Sequence, residues 1–224
     1  MRHSLRGQVD PFIVMDVMEA AARAEAAGRH IIHMEVGQPG TPAPEGARRA
    51  LAQALEQPLG YTVALGLPAL RQGIADLYRR WYGVDLDPAR VVVTPGSSGA
   101  FILAFSALFD AGDRVAMGFP GYPSYRQILR AMSLTPVGIP TRAEDRYQPR
   151  PEDLPDDAQG LILASPGNPS GTVLTVPELA GLTEAAAARG MAVISDEIYH
   201  GLSYGERCHS ALEVTDEVLV VNSF

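Results

Sequence analysis

The apolar positions along this chain fall into two regimes. Over the first ninety residues they recur at helical spacing, and beyond residue 91 they gather into short continuous runs. Asp10 and Pro11 precede Phe12, Ile13, Met15, Val17 and Met18, and an alanine-rich stretch closes at Gly28. An N-cap candidate, a first-turn proline and a terminal glycine predict a helix there. A short extended run over 31–36 leads into GQPGTPAP, and a second helix is predicted over 44–57. Between 68 and 82, Leu70, Ile74, Leu77 and Trp81 repeat every three or four residues, which places one apolar stripe on a helix and predicts that this stripe packs.

The later runs are VVVT (91–94), RVAMGF (114–119), PVGIP (136–140), GLILAS (160–165), MAVISDE (191–197) and VLVVNS (218–223). Strands of this kind are buried on both faces, and helices near 97–110, 123–132 and 176–189 separate them. The fold class is therefore α/β, a doubly wound, mostly parallel sheet with flanking helices. Thr175 stands three residues before Glu178, a capping-box spacing that opens the last of these helices. The stretch 142–157 is rich in charge and proline and reads as a solvated connection. The last strand-like run stops at Phe224 without the crossover that such a sheet calls for, so the chain is expected to be the N-terminal part of something longer.

Composition narrows the chemistry. With 224 residues and 46% of them apolar, the chain can bury a sizeable core. Eighteen basic against 26 acidic residues give a net charge of −8, and no basic run appears, so neither nucleic acid nor an anionic membrane is an expected partner. All the basic residues counted there are arginines. The absence of lysine removes a P-loop, a Ser-Lys dyad and an internal Schiff base from these residues. The single cysteine, Cys208, excludes an internal disulfide and fits a reducing compartment, so the expected location is the cytoplasm. The N-terminus lacks a signal-peptide core, and the longest apolar stretch, 101–109, is too short to span a bilayer.

In an open α/β sheet, ligands bind outside the carboxyl ends of the strands. After VVVT comes Pro95-Gly96-Ser97-Ser98-Gly99-Ala100, where small residues and free amides at a helix start suit an anion; an ordinary strand-to-helix turn fits the same residues. After RVAMGF comes Pro120-Gly121-Tyr122-Pro123-Ser124-Tyr125, which brings an aromatic ring to the sheet end. After GLILAS, Pro166-Gly167-Asn168-Pro169-Ser170-Gly171-Thr172 fixes a tight loop around one amide side chain, as a positioned hydrogen bond or as a structural turn. Asp196 and Tyr199 follow MAVIS and send an acid and a phenol to the same place. His30 and His33 have no third ligand in sight, Cys208 and His209 point apart on extended backbone, and Arg79 and Arg80 belong to a solvated helix face.

Taken together, VGQP, GYT, TPGSSGA, PGYPSY, SPGNPSGT and SDEIYHGL occur in the order and spacing of a known family. The chain resembles the class I/II pyridoxal-phosphate-dependent aminotransferases of the aspartate aminotransferase type, fold type I, over nearly its whole length. The resemblance implies pyridoxal 5'-phosphate as cofactor, its phosphate held by Gly96, Ser97 and Ser98. It implies that Tyr122 stacks on the pyridine ring, that Asn168 and Tyr199 bond its phenolic oxygen and that Asp196 pairs with the ring nitrogen. Gly37 matches a main-chain contact to the substrate carboxylate. Tyr61 matches a tyrosine that reaches the phosphate of the neighbouring subunit, which implies a homodimer. Residues 1–45 correspond to an N-terminal arm and helix on the small-domain side, and 46–224 to a cofactor-binding large domain, incomplete at its C-terminus. The family's Schiff-base lysine, its carboxylate-binding arginine and its small C-terminal domain are not among these residues, so no catalytic residue is assigned here. The implied activity transfers an amino group between an amino acid and a 2-oxo acid. The alternatives are a lyase or synthase using the same cofactor and fold, separable by assaying 2-oxo acid against thiol product, and a non-catalytic domain that binds a phosphorylated ligand.

Overall fold

Five of the six predicted runs form strands of one sheet. In the computed structural model, which describes residues 2–38, 40–58, 60–205 and 207–223, these are β1 (Arg114–Phe119), β2 (Thr135–Pro140), β3 (Gly160–Ala164), β4 (Ala192–Asp196) and β5 (Leu219–Val221). Their order is β2-β1-β3-β4-β5, and each adjacent pair runs parallel. The chain leaves β1 to one side for β2 and returns to its other side for β3. That reversal puts a topological switch point between β1 and β3, the place where such sheets open a crevice for ligands.

Alternation along the strands splits the core in two. Leu161, Leu163 and Val193 pack with Leu179, Leu182 and Ala186 of the helix Val176–Ala188. Ile162 and Ile194 point the other way, against Phe101 and Phe105 of Gly96–Leu108 and Leu129 of Pro123–Ala131. Both faces are covered, as continuous apolar runs require. The capping box forms as read: the Glu178 amide donates to Thr175 Oγ1 at 3.4 Å, and the Thr175 amide donates to Glu178 at 2.7 Å.

The helices are α1 (Ile13–Ala26), α2 (Glu45–Ala54), α3 (Pro68–Tyr82), α4 (Gly96–Leu108), α5 (Pro123–Ala131) and α6 (Val176–Ala188). They lie in two compact units, 10–64 and 1–9 with 65–224. The smaller unit carries α1 and α2. There, Phe12 rather than Asp10 occupies the N-cap of α1, Gly28 follows its end at φ +82°, and 31–36 forms no strand. A lone extended run has no ladder to join. Within it the exposed His33 ring bonds Glu35 at 2.7 Å and Glu25 at 2.9 Å. Those carboxylates, Glu35 foremost, raise His33 to about 9.

Three expectations for the larger unit need correction. The stripe on α3 is not its packing face: Leu70 and Trp81 are exposed, whereas Ala75, Tyr78 and Tyr82 are buried. The two tyrosines win the interior because each phenol has a partner there, Asn222 for Tyr78 at 3.2 Å and His200 for Tyr82 at 2.6 Å. Second, 91–94 is extended but joins no ladder; the Val93 amide donates to the Leu65 carbonyl at 3.0 Å and the Val91 amide to the Pro88 carbonyl at 3.2 Å. Third, the 142–157 connection is not simply solvated. Gln148 and Leu154 are buried, because the segment folds back over the loop after β3.

Candidate functional site

The register places three strand ends side by side. Ala164 pairs with Asp196, and Asp196 with Val221, so the segments beginning at Ser165, Glu197 and Asn222 emerge together beside the switch point. Asp196 is the last residue of β4 and only 4% exposed. Its Oδ1 accepts from the Ile198 amide at 3.2 Å, and its Oδ2 accepts from the Tyr125 hydroxyl. Burial pushes the Asp196 carboxyl above its ordinary value, and those two hydrogen bonds pull it back. Burial first, and then Asp196, pushes the Tyr125 phenol up, so the tyrosine is the proton donor of the pair. Among the described residues no cationic side chain forms an ion pair with Asp196.

Tyr125 is the hub that sequence reasoning missed. Its ring lies 5.4 Å from that of Tyr122, edge-on at 83°, and 5.1 Å from Phe101 of α4. One side chain therefore links the aromatic at the N-cap of α5, the buried acid of β4 and the helix that starts at Gly96. The signal was present as Tyr122 and Tyr125 three apart at a helix start, which puts them on one side of its first turn.

Asn168 and Tyr199 meet as well: the amide Nδ2 donates to the phenol oxygen at 3.2 Å. The loop carrying Asn168 is held from several sides. The Gly167 amide donates to the Thr172 carbonyl at 2.9 Å, the Leu174 amide to Ser165 Oγ at 2.9 Å, and Gln148 Nε2 to the carbonyls of Ala164 and Thr172 at 3.2 and 3.0 Å. A Cβ on Gly167 would stand 2.6 Å from Ser170 Oγ, so a side chain there would displace the Ser170 hydroxyl. Tyr122, Tyr125, Gln148, Gly167, Asn168 and Ser170 line a cavity of about 30 Å³. That is room for water, so a ligand the size of a substituted pyridine has to lie outside it.

The sequence Gly96-Ser97-Ser98 forms the first turn of α4. Gly96 sits at φ +76°, a left-handed conformation that favours glycine, and no side chain caps the turn. Its amides face the direction in which a helix favours negative charge. The structure thus links Ser97 and Ser98, through α4 and Phe101, with Tyr122, Tyr125 and Asp196, and it joins Asn168 to Tyr199. Gly37 and Tyr61 belong to the 10–64 unit and are exposed there.

The family profile described as "Aminotransferase class I and II" matches residues 29–224. The chain belongs to that family. Over its whole length it is 46% identical to a Mycobacterium tuberculosis protein named valine–pyruvate aminotransferase, covering 59% of that relative. A solved protein from Silicibacter pomeroyi is 63% identical and superposes with a TM-score of 0.91, over 100% of this chain and 58% of its own. The Thermus thermophilus aspartate aminotransferase, solved with maleate, is 30% identical at a TM-score of 0.93, over 99% of this chain and 60% of its own. The chain therefore has the fold of the fold-type I large domain and spans about three fifths of the length of these relatives.

Pyridoxal 5'-phosphate is the cofactor of this family. The residues of this chain fit it on one structural ground in particular. A buried carboxylate without a cationic partner is costly by itself. A protonated ring nitrogen would supply the missing charge.

Proposed function

We propose that these residues form the cofactor-binding part of an enzyme that moves an amino group between an amino acid and a 2-oxo acid. The observation that carries this reading is Asp196, buried at the switch point, oriented by Tyr125 and without a cationic partner among the described residues. In this assignment Gly96, Ser97 and Ser98 hold the phosphate of pyridoxal 5'-phosphate, and Tyr122 covers the ring. Asn168 and Tyr199 donate to the ring oxygen, and Gly37 offers its main chain to the substrate carboxylate. Bound there, the cofactor supplies an electron-accepting ring that spreads the charge left on a carbon losing its proton. Asp196 keeps a proton on the ring nitrogen, because in a dry site two opposite charges are more stable than a lone carboxylate. Tyr125 keeps the acid aimed, since rotation of the carboxylate breaks its bond to the phenol.

The 224 residues contain no lysine, so the amine that binds the cofactor and carries the proton is assigned to residues outside them, after a serine that helps hold the phosphate. A carboxylate-binding arginine is assigned to the small domain. On this reading 1–45 is an arm and helix on the small-domain side and 46–224 the cofactor-binding domain. Tyr61 reaches the phosphate of a second subunit in a homodimer, and the enzyme works in the cytoplasm. Among the described residues no helix is long and apolar enough to cross a membrane. The valine–pyruvate relative makes a branched-chain amino acid with pyruvate the first substrate pair to assay. The lack of lysine favours a second reading for these residues taken alone, a domain that binds the phosphorylated ligand without turning it over.

In the holoenzyme, Asp196→Ala is expected to slow removal of the α-proton by several orders of magnitude in single-turnover measurements, with the phosphate still retained. A near wild-type rate would overturn the assignment.

A further inference from the structure

Beside the candidate site lies a second, buried polar group. His200 is 7% exposed, Tyr82 8%, Ser165 1% and Glu197 0%. The His200 Nε2 lies 2.9 Å from the Ser165 carbonyl, which can only accept, so Nε2 carries the hydrogen. Burial drives the imidazole down to about 4, which keeps it neutral and leaves Nδ1 as an acceptor. Tyr82 donates to that nitrogen at 2.6 Å. The direction of the chain is thereby fixed: Tyr82 to His200 to Ser165. The Glu197 Oε2 lies 3.7 Å from Nδ1 and forms no ion pair with it, because that nitrogen has no hydrogen to give.

The placement of the two ends is informative. Tyr199 immediately precedes His200, and the turn is closed by the His200 amide on the Glu197 carbonyl at 3.0 Å. Ser165 begins the loop that presents Asn168. Loop and turn are thus tied twice, by Asn168 to Tyr199 on the site side and by His200 to Ser165 on the buried side. Two ties from adjacent residues of the turn remove the rotation that one would allow.

We propose that His200 is a positioning residue: through the Ser165 carbonyl it sets the spacing of Asn168 and Tyr199, and so the strength of their hydrogen bonds to the cofactor's ring oxygen. The proposal rests on the cofactor reading above. Weaker donors would leave that oxygen more basic, so the bound cofactor would keep its titrating proton to higher pH.

The test uses two amides one methylene apart in the holoenzyme. His200→Asn places its amide where Nδ1 stands, within reach of Tyr82 but short of Ser165, while His200→Gln reaches the position of Nε2. With Asn, the pH midpoint of the bound cofactor's absorbance is expected to rise by about one unit, the equivalent of one hydrogen bond. With Gln it should stay within about 0.3 units, a small fraction of that bond. An unshifted midpoint in His200→Asn, or equal shifts in both variants, would overturn the proposal. Nitrogen-15 shifts of the wild-type imidazole give a check that needs no variant to fold: the Nε2–H tautomer is expected, and Nδ1–H would refute the chain of donors. Wild-type protein that shows no cofactor absorbance would instead refute the cofactor reading, and this inference with it.

Discussion

The carboxyl ends of β3 and β4 and the outer flank of β5 belong to one sheet, yet they are finished in opposite ways. At the carboxyl ends, polar groups are buried and, apart from Glu197 Oε2, paired, and loops close over one another. Along the flank, β5 is paired with β4 on one side, and 91–94 runs extended without a ladder. A groove of about 930 Å³ lies there, lined by residues such as Val91, Val92, Leu103, Leu108, Leu219 and Val220. Val92 is 51% exposed and Leu103 54%. The polar site is thus closed by loops bonded to one another, while the apolar flank keeps half-exposed side chains and β5 has one edge without a strand neighbour among the described residues. Specific chemistry here depends on short-range geometry, and the sheet's edge does not.

The sharpest way to break this contrast is to cut the same side chain in both places. Leu161 is fully buried at the centre of the sheet, so Leu161→Ala is expected to cost about 2–5 kcal/mol in denaturant unfolding. Leu103→Ala on the flank removes a half-exposed side chain and is expected to cost about 0.5 kcal/mol. Equal losses would mean that the groove is filled in solution.

How much of this could be read beforehand follows the same division. The strands after residue 114 were legible because β-branched runs bounded by glycine and proline have few other uses, and α6 was marked by its own capping residues. The run 91–94 has the same composition but no neighbour, and composition does not reveal whether a partner strand is present. Helix α3 was placed with its observed bounds and the wrong face, because periodicity weighs leucine above tyrosine and cannot see that Asn222 and His200 wait to receive two phenols. Asp196, Asn168 and Tyr199 stood out through motifs. Tyr125, Gln148 and His200 did not, since each acts on a residue distant in sequence: 71 positions for Tyr125 to Asp196, 35 for His200 to Ser165.

The buried side of the site should show its character in the pH dependence of stability. Burial raises Glu197 from 4.5 to about 7, so the folded state holds that proton more tightly and stability falls as pH rises through this window. Hydrogen bonds from the Ala211 amide and the Ser195 hydroxyl, at 2.8 and 2.9 Å, moderate the rise, and Glu213 adds to it slightly. His200, lowered from 6.5 to about 4, acts oppositely: the unfolded state takes up the proton first, and stability is lost as pH falls. Between about 4.5 and 6.5 the two slopes, each about 1.4 kcal/mol per pH unit, cancel. Relative to wild type, Glu197→Gln is expected to gain stability progressively from pH 4.5 to 7, and His200→Gln from pH 6.5 down to 4. Urea midpoints measured across that range check both signs, and parallel profiles for all three proteins would contradict them.

The smallest effect concerns the flank itself. An unpaired strand edge with apolar side chains beside it is a template for another chain, and natural edges are blunted by charge, lysine above all. No lysine stands here, and the charges that line the groove are Arg90, Asp216 and Glu217. The 224 residues by themselves are expected to self-associate through this flank, and Val92→Lys should reduce that association several-fold in light scattering. Since Val92 is half exposed, the new ammonium stays in water, and the urea midpoint should move little. Unchanged scattering with an unchanged midpoint would show that the edge of β5 and the 91–94 segment are already protected, and that the difference between the two regions is one of polarity alone.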